Sequence, residues 1–177
     1  MPITEQQLLR IIPNAGRQAG VFVPVLNTAM NKYGIVTPAR IAAFIAQVGH
    51  ESGQLRHVRE IWGPTAQQSG YEGRSDLGNT EKGDGSKYRG RGLIQITGRA
   101  NHDACGEGLA LDLINHPELL EQPQHASMSA AWFWSTKGLN TLADKGEFVK
   151  ITRRVNGGLN GLEDRQRLYA QAQKVLA

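Results

Sequence analysis

Residues 46–62 read AQVGHESGQLRHVREIW and carry a glutamate at the end of a helix with one apolar face. The helix has a clear start, because Thr37 provides a hydroxyl cap and Pro38 fits the first helical position. The next apolar residues recur at helical spacing, namely Ile41, Phe44, Ile45 and Val48. At about 100° per residue, Glu51 falls within about 20° of Phe44. The stretch therefore predicts a core helix that directs the Glu51 side chain along the edge of its buried face.

The environment predicted for Glu51 suits a general acid. A carboxyl group at the edge of a core loses part of the water that stabilises its charge, and so it keeps its proton more readily. The same spacing also fits a half-exposed glutamate that only caps the end of the helix. From the spacing alone, both interpretations stay open.

Hydrolysis of a glycosidic bond uses a second carboxyl group, which stays ionised and activates water or attacks the sugar. Glu60 is the first candidate, because Arg56, His57 and Arg59 beside it would keep it charged. A surface glutamate paired with a neighbouring arginine fits the same pattern. Glu72 is a rival, since the glycines on both sides of it would let its loop move over a cleft.

Composition favours a small enzyme over a nucleic-acid binder. The 177 residues suffice for a real core and contain no linker, so residues 1–177 are expected to form a single domain. The net charge of +4 favours approach to an anionic polymer such as the bacterial cell wall. The basic residues are scattered among acidic ones, which argues against nucleic acid as a partner. The only cysteine, Cys105, cannot form an internal disulfide, and a reducing compartment is expected.

Periodicity and stop signals predict a mainly α fold. Besides the helix that leads to Glu51, helices are expected between Thr4 and Pro13 and over residues 17–33, 100–109, 124–137, 146–155 and 162–175. The glycine-rich residues 63–90 are expected to form a long irregular segment, which in a compact domain is typically functional or disordered. The alternation in GLIQITGR, residues 92–99, predicts a short extended piece.

Three motifs, in order along the chain, resemble those of one enzyme family. They are FIAQVGHESGQL (44–55), YRGRGLIQITGRANH (88–102) and ITRRVNGGLNGLEDRQRLY (151–169). They are similar to the catalytic segment, the Gln-x-Ser/Thr block and the Asn-Gly-Gly segment of family-19 chitinases and of phage endolysins on the same scaffold. The resemblance implies a mainly α, lysozyme-like α+β domain, with a helical core and a small hairpin or extended segment beside the catalytic cleft.

The resemblance also implies catalytic roles. Glu51 would be the general acid, and Glu60 would be the base that activates a water on the opposite face of the sugar, by the spacing of bacterial members. The wider spacing of plant members fits Glu72 as an alternative base. Thr97 would help to hold the attacking water.

A further group of residues is implied to contact the sugar or to orient the carboxylates, and consists of His50, Tyr88, Gln95, Asn101, Asn156 and Arg165. On the residues alone, Gln95 and Thr97 also fit the polar face of an edge strand, and Asn156 fits a helix stop. Asn160 stands where plant chitinases tend to carry an acid. No metal or cofactor is expected, because the five histidines show no ligand spacing with cysteine or carboxylates.

The function expected from the resemblance is that of a phage or prophage endolysin, a muramidase that cuts the β-1,4 bond between N-acetylmuramic acid and N-acetylglucosamine in peptidoglycan. A chitinase is the alternative. An inactive carbohydrate-binding protein is a third reading, against which the presence of both Glu51 and Glu60 argues.

The location expected from the sequence follows from its first residues and its hydropathy. The start of the chain lacks the basic and apolar regions of a secretory signal, and no segment is long and apolar enough for membrane insertion. We therefore expect a monomer that stays in the host bacterial cytoplasm until a holin releases it to the cell wall.

Overall fold

The computed structural model describes residues 2–177, and most of them lie in α-helices. The helices are Glu5–Ile11 (α1), Gln18–Lys32 (α2), Pro38–Glu51 (α3), Ala66–Ser69 (α4), Asp84–Lys87 (α5), Arg99–Leu109 (α6), Pro123–Thr136 (α7), Leu139–Asp144 (α8), Phe148–Asn156 (α9) and Leu162–Leu176 (α10). Three short 3-10 helices join them at Pro13–Ala15, Ser75–Leu77 and Pro117–Glu121. The mainly α fold predicted from the sequence is confirmed.

Local signals set most helix boundaries. Thr4 caps α1 through a capping box, since its side chain accepts from the Gln7 N–H and the Gln7 side chain accepts from the Thr4 N–H. Thr37 caps α3 in the same position, with its hydroxyl accepting from the Arg40 N–H at 3.3 Å. Pro24, which could have marked a start or a kink, lies inside α2. The predicted helix starts at residues 4 and 37 are therefore confirmed.

The core is built around α3. Every residue from Ile41 to Gly49 is buried, so the apolar stripe seen in the sequence becomes a helix enclosed on all sides. The helix packs mainly against α10, while α2 packs against α7. Phe44 meets Trp134 of α7 edge to face, with ring centroids 5.3 Å apart. Since α3 leaves this core only at its last turn, Glu51 emerges at a rigid position.

A smaller apolar cluster lies beside the main core and consists of Ile96, Cys105, Leu113 and Leu120. Burial raises the pKa of the Cys105 thiol to about 12, so this cysteine packs as a small apolar residue. The cluster anchors α6 and the segment that precedes it.

Two sequence-based expectations need correction. The segment GLIQITGR is not extended, because residues 91–96 close on themselves in a tight loop, with the Arg91 and Ile96 main chains exchanging hydrogen bonds of 3.2 and 2.9 Å. The consecutive residues Leu93 and Ile94 are both buried in it, whereas a half-buried strand would bury only one of them. The single helix expected over residues 146–155 is preceded by α8, which the periodicity did not indicate.

Within residues 2–177 the β pairing consists of isolated bridges, Arg59 with Arg91 and Arg91 with Ile96. Among the described residues, these bridges are all that corresponds to the hairpin or extended segment that the family resemblance implied. None of the helices described in residues 2–177 combines the length and the apolar character needed to cross a membrane.

Candidate active site

Glu51 is the last residue of α3, and its side chain is 20% exposed. Arg165, from the first turn of α10, donates from Nη2 to Glu51 Oε1 at 2.6 Å. The Arg165 side chain is almost fully buried, at 2% exposure. A short charge-assisted bond from a buried guanidinium fixes the carboxylate in one orientation.

Arg165 is itself held by two further bonds. Its Nη1 donates to Gln47 Oε1 at 2.6 Å and its Nε donates to the Asn160 carbonyl at 3.0 Å. The Gln47 amide in turn donates to Thr152 Oγ1 of α9 at 3.0 Å, and both of these side chains are fully buried. The network joins α3, α9 and α10 behind Glu51, so the position of the carboxylate depends on the helical core.

The two carboxylate oxygens of Glu51 differ in their hydrogen bonds. Oε1 accepts from Arg165, whereas no hydrogen bond from the described residues 2–177 reaches Oε2. The arrangement leaves Oε2 as the position at which a proton can be held and passed on.

Glu60 has a different environment, made by loops. Its Oε1 accepts from the Gly90 N–H at 2.6 Å, and its Oε2 accepts from Gln68 Nε2 at 3.1 Å and from the Tyr71 hydroxyl at 3.3 Å. The Glu60 N–H donates to the Gly90 carbonyl at 2.9 Å, which pairs the two main chains. All three groups around the carboxylate are donors, and this suits an ionised, acceptor-only group.

Gly90 also brings two predicted polar residues to Glu60. A methyl group added at residue 90 would lie 2.5 Å from Gln95 Oε1 and 3.1 Å from Thr97 Oγ1. Only a glycine permits this close approach. The tight loop of residues 91–96 thus places Gln95 and Thr97 against Gly90, whose N–H bonds the Glu60 carboxylate.

Asn101 extends this polar group. Its Nδ2 donates to the Thr97 carbonyl at 2.8 Å. Gln95, Thr97 and Asn101 line a groove of about 200 Å³ whose other walls include Trp132 and Phe133. Polar side chains beside aromatic walls are typical of a ligand site.

His50 lies next to Glu51 in sequence but faces α10. Its Nδ1 is 2.7 Å from Asp164 Oδ2, and its ring packs on Gly161 so closely that no side chain fits there. Burial raises the pKa of Asp164, but hydrogen bonds from His50 and Arg167 outweigh it, and the pKa lies below its ordinary value. His50 therefore anchors the start of α10, which carries Arg165.

Asn156 ends α9 and is half-buried. Gly157 follows it with a left-handed φ of 79°, so the Asn-Gly-Gly segment is a helix stop in this structure. Asn156 lies one turn beyond Thr152, and no hydrogen bond among the described residues joins it to Glu51 or Glu60.

Tyr88 corrects a prediction. It was expected to contact substrate, yet it is fully buried, and its hydroxyl donates to the Ile114 carbonyl at 2.7 Å. Its ring packs against His102 of α6, with centroids 5.3 Å apart. Tyr88 supports the wall behind the site. Arg165 is likewise too deeply buried to contact a sugar, and it acts through Glu51.

Glu72 accepts from the N–H groups of Gly83 and Gly85 at 2.8 and 2.9 Å. These two bonds hold the pKa of Glu72 below its ordinary value. They fix its carboxylate to the start of α5. Gln95 and Thr97 instead lie against Gly90, whose N–H bonds Glu60, and this favours Glu60 over Glu72 as the second carboxylate.

Four residues of the site were not anticipated, namely Gln47, Gln68, Tyr71 and Thr152. Gln68 and Tyr71 fall in the glycine-rich segment, and a capping box at Thr65 and Gln68 was the signal that this segment contains α4. Gln47 and Thr152 are polar residues on otherwise apolar helix faces, a pattern that calls for a buried partner. Among residues 2–177, no three histidine, cysteine, aspartate or glutamate side chains are arranged to hold a metal ion.

A mainly helical scaffold that positions two glutamates, a threonine and a polar groove defines a glycoside hydrolase. The family model "Chitinase class I" matches residues 26–146. A family-19 domain-containing protein of Haemophilus influenzae is 34% identical, over 96% of this chain and 94% of that protein. The chain belongs to glycoside hydrolase family 19.

Further relatives and structural neighbours have names that describe them as chitinases. An Arabidopsis thaliana endochitinase is 36% identical over 71% of this chain, which covers only 42% of the plant protein. The crystal structure of chitinase C from Streptomyces griseus superposes with a TM-score of 0.78 at 24% identity, over 98% of this chain and 76% of that one. A class IV chitinase from Zea mays gives 0.62 at 23% identity, over 99% and 82%. These structural likenesses show the fold.

Proposed function

We propose that this protein hydrolyses a β-1,4 glycan by inverting acid/base catalysis, with Glu51 as the acid and Glu60 as the base. The observation that carries the proposal is the contrast between the two carboxyl groups. Among residues 2–177, one oxygen of Glu51 has no hydrogen-bond partner, and the partners of the Glu60 carboxylate are all donors. The first suits a proton donor and the second suits a group that stays ionised.

The reaction follows from these positions. Glu51 transfers its proton to the leaving glycosidic oxygen as the bond from the anomeric carbon to that oxygen breaks. A carboxylate offers about four acceptor positions, so three donors leave one for the attacking water at Glu60. Glu60 removes a proton from this water as its oxygen bonds to the anomeric carbon from the opposite face, and Thr97 helps to orient it. No metal or cofactor takes part in this scheme.

Peptidoglycan is the proposed substrate, cut between N-acetylmuramic acid and N-acetylglucosamine. The net charge of +4 supports it, since cell wall is anionic. The bacterial relative that matches almost end to end is consistent with a bacterial or phage setting. We infer a monomeric endolysin that is held in the host cytoplasm and reaches the wall after a holin opens the membrane.

Chitin is the second candidate. It is favoured by the relatives named endochitinases, which include several plant proteins 30 to 36% identical to this chain. Both substrates carry N-acetylglucosamine and β-1,4 bonds, and the same two glutamates would serve either one.

The test compares loss of turbidity of purified peptidoglycan with cleavage of chitin oligomers, for the wild type and for Glu51→Gln and Glu60→Gln. The expected result is faster cleavage of peptidoglycan, with new reducing ends at N-acetylmuramic acid, and inactive variants that keep their circular dichroism. Cleavage of chitin oligomers alone would make the protein a chitinase. Near-normal activity of Glu51→Gln on both substrates would overturn the catalytic assignment.

A further inference from the structure

A groove of about 530 Å³ opens beside the proposed base, and its character differs from that of a neutral sugar site. Residues 56–62, with Arg89 and Glu121, line it. Three of these residues are arginines, Arg56, Arg59 and Arg89. The only acids among the lining residues are Glu60, which the mechanism uses, and Glu121.

Glu121 does not neutralise the groove. It accepts a hydrogen bond from the buried Arg91 at 3.0 Å, and Arg91 is outside the groove lining. Its other oxygen lies 3.6 Å from Arg59, an ion-pair distance without a hydrogen bond. Arg59 is 55% exposed, so its guanidinium keeps most of its donors for a ligand.

Arg89 is held in place without a carboxylate. Its Nε and Nη2 donate to the carbonyl and hydroxyl of Ser86 at 2.9 and 2.7 Å. Its guanidinium lies 4.6 Å from the centroid of the Trp62 ring, a cation–π contact. Burial, together with the charges of Arg91 and Arg59, holds the pKa of Arg89 below its ordinary value, although the charges of Glu60 and Glu121 oppose this. A bound anion would relieve this crowding of like charges.

Arg56 completes the set. It is exposed, its Nε donates to the Gly53 carbonyl at 2.7 Å, and no carboxylate among residues 2–177 pairs with it. The groove lining therefore carries three guanidinium groups against two carboxylates, and only Arg59 lies at ion-pair distance from one of them. Arginine forks match carboxylates in shape and charge.

We propose that this groove binds the carboxylates that a muramyl sugar carries on its lactyl arm or on the attached peptide stem, and that Arg59 and Arg89 select peptidoglycan over neutral chitin. The inference deepens the proposed function and rests on it. The groove shares Glu60 as a lining residue with the catalytic site, so a substituent on a sugar bound at Glu60 reaches it. Trp62 links the two regions, because its ring lies 6.1 Å from that of Tyr71, which bonds Glu60.

The test measures kcat/KM on three substrates of equal chain length. These are glycan strands with peptide stems, strands from which an amidase has removed the stems so that the lactyl carboxylate is free, and neutral chitin oligomers. The variants are Arg59→Gln, Arg89→Gln and the double substitution. Arg10→Gln is the matched control, since Arg10 is an exposed arginine of α1 outside the groove.

Each single groove variant is expected to lower the ratio of muramyl to chitin activity by about tenfold, the usual effect of one charge-assisted hydrogen bond. Arg10→Gln should leave the ratio unchanged. Loss on stem-bearing strands alone would place the peptide carboxylates in the groove, and loss on stripped strands alone would place the lactyl carboxylate there. Arg89→Lys should restore part of the ratio, because it keeps the charge but not the fork.

Two results would overturn the proposal, and they differ from each other. Equal loss on all three substrates would show that the arginines only support Glu60. A wild type that cleaves chitin oligomers but neither muramyl substrate would remove the proposed function as well. Rising salt offers a second readout, since it should lower the wild-type ratio more than that of the double variant.

Discussion

The two glutamates proposed as acid and base lie in contrasting parts of the molecule. Glu51 ends a helix enclosed by the core, and its partner Arg165 is tied to α3, α9 and α10. Glu60 lies between loops, and its partners come from short helices and turns at residues 68, 71 and 90. The contrast indicates that the helical core as a whole positions Glu51, whereas local hydrogen bonds position Glu60. Substitutions around Glu51 should therefore lower stability as well as activity, and substitutions around Glu60 should lower mainly activity.

The largest effect is expected for Arg165→Ala. It leaves Glu51 and Gln47 without their partner inside the core, and the free energy of unfolding should fall by about 3 kcal/mol or more. Activity should be lost as well. Urea denaturation measures the first and turbidity assays measure the second. Arg167→Ala, two residues on and 63% exposed, is the control and should cost about 1 kcal/mol or less. If Arg165→Ala and Arg167→Ala lowered the free energy of unfolding equally, the claim that the core network around Arg165 positions Glu51 would be contradicted.

The stability of the protein should be sensitive to acid through His102 of α6, whose ring packs against Tyr88. Burial lowers the pKa of His102 from 6.5 to about 4, although its bond to the Gly98 carbonyl opposes this. Between these two pH values the unfolded chain binds the proton and the folded protein does not, so stability should decline as pH falls from 6.5 towards 4. The full loss is about 3 kcal/mol.

Unfolding by urea at pH 7 and at pH 4.5 would measure this decline, and His102→Gln should flatten it. The exposed His116→Gln is the matched control and should leave the pH dependence as in the wild type. A steep decline that persists in His102→Gln would assign the acid sensitivity to carboxylates.

A smaller effect, on activity rather than stability, is expected around Glu60. Gln68→Ala removes one donor to Glu60 and three loop contacts, and should lower kcat by about tenfold. Tyr71→Phe removes one hydroxyl donor and should lower it less. Burial and the charge of Glu60 raise the pKa of Tyr71, so its hydroxyl stays a donor at neutral pH. Tyr169→Phe is the control and should leave kcat unchanged. If Gln68→Ala or Tyr71→Phe lowered the free energy of unfolding as much as Arg165→Ala does, the contrast between the two glutamates would be contradicted.

The smallest effect is expected for Glu72→Gln. Its carboxylate bonds only the main chain of the neighbouring loop, and the amide keeps one of these contacts. Activity on peptidoglycan should stay within about twofold of the wild type. An inactive Glu72→Gln beside an active Glu60→Gln would move the second catalytic role to Glu72.

The sequence predicted the helices that carry Glu51 better than the loops around Glu60. Caps, helical spacing and helix stops are encoded within a few residues, and the bounds of α1 and α3 followed from them. The family resemblance supplied Arg165, whose bond spans 114 residues of sequence and has no local signal. The fold of residues 91–96 escaped prediction because the alternation in the sequence indicates a strand, whereas the closed loop buries the consecutive residues Leu93 and Ile94. Tyr88 was misplaced because a motif position does not reveal burial.

The assignment of acid and base has one direct test. On a 2,4-dinitrophenyl glycoside of chitin oligomers, the leaving group needs no proton, and only the base remains necessary. Glu51→Gln should regain most of the wild-type rate on this substrate, and Glu60→Gln should stay inactive. Recovery of Glu60→Gln with no recovery of Glu51→Gln would contradict the account.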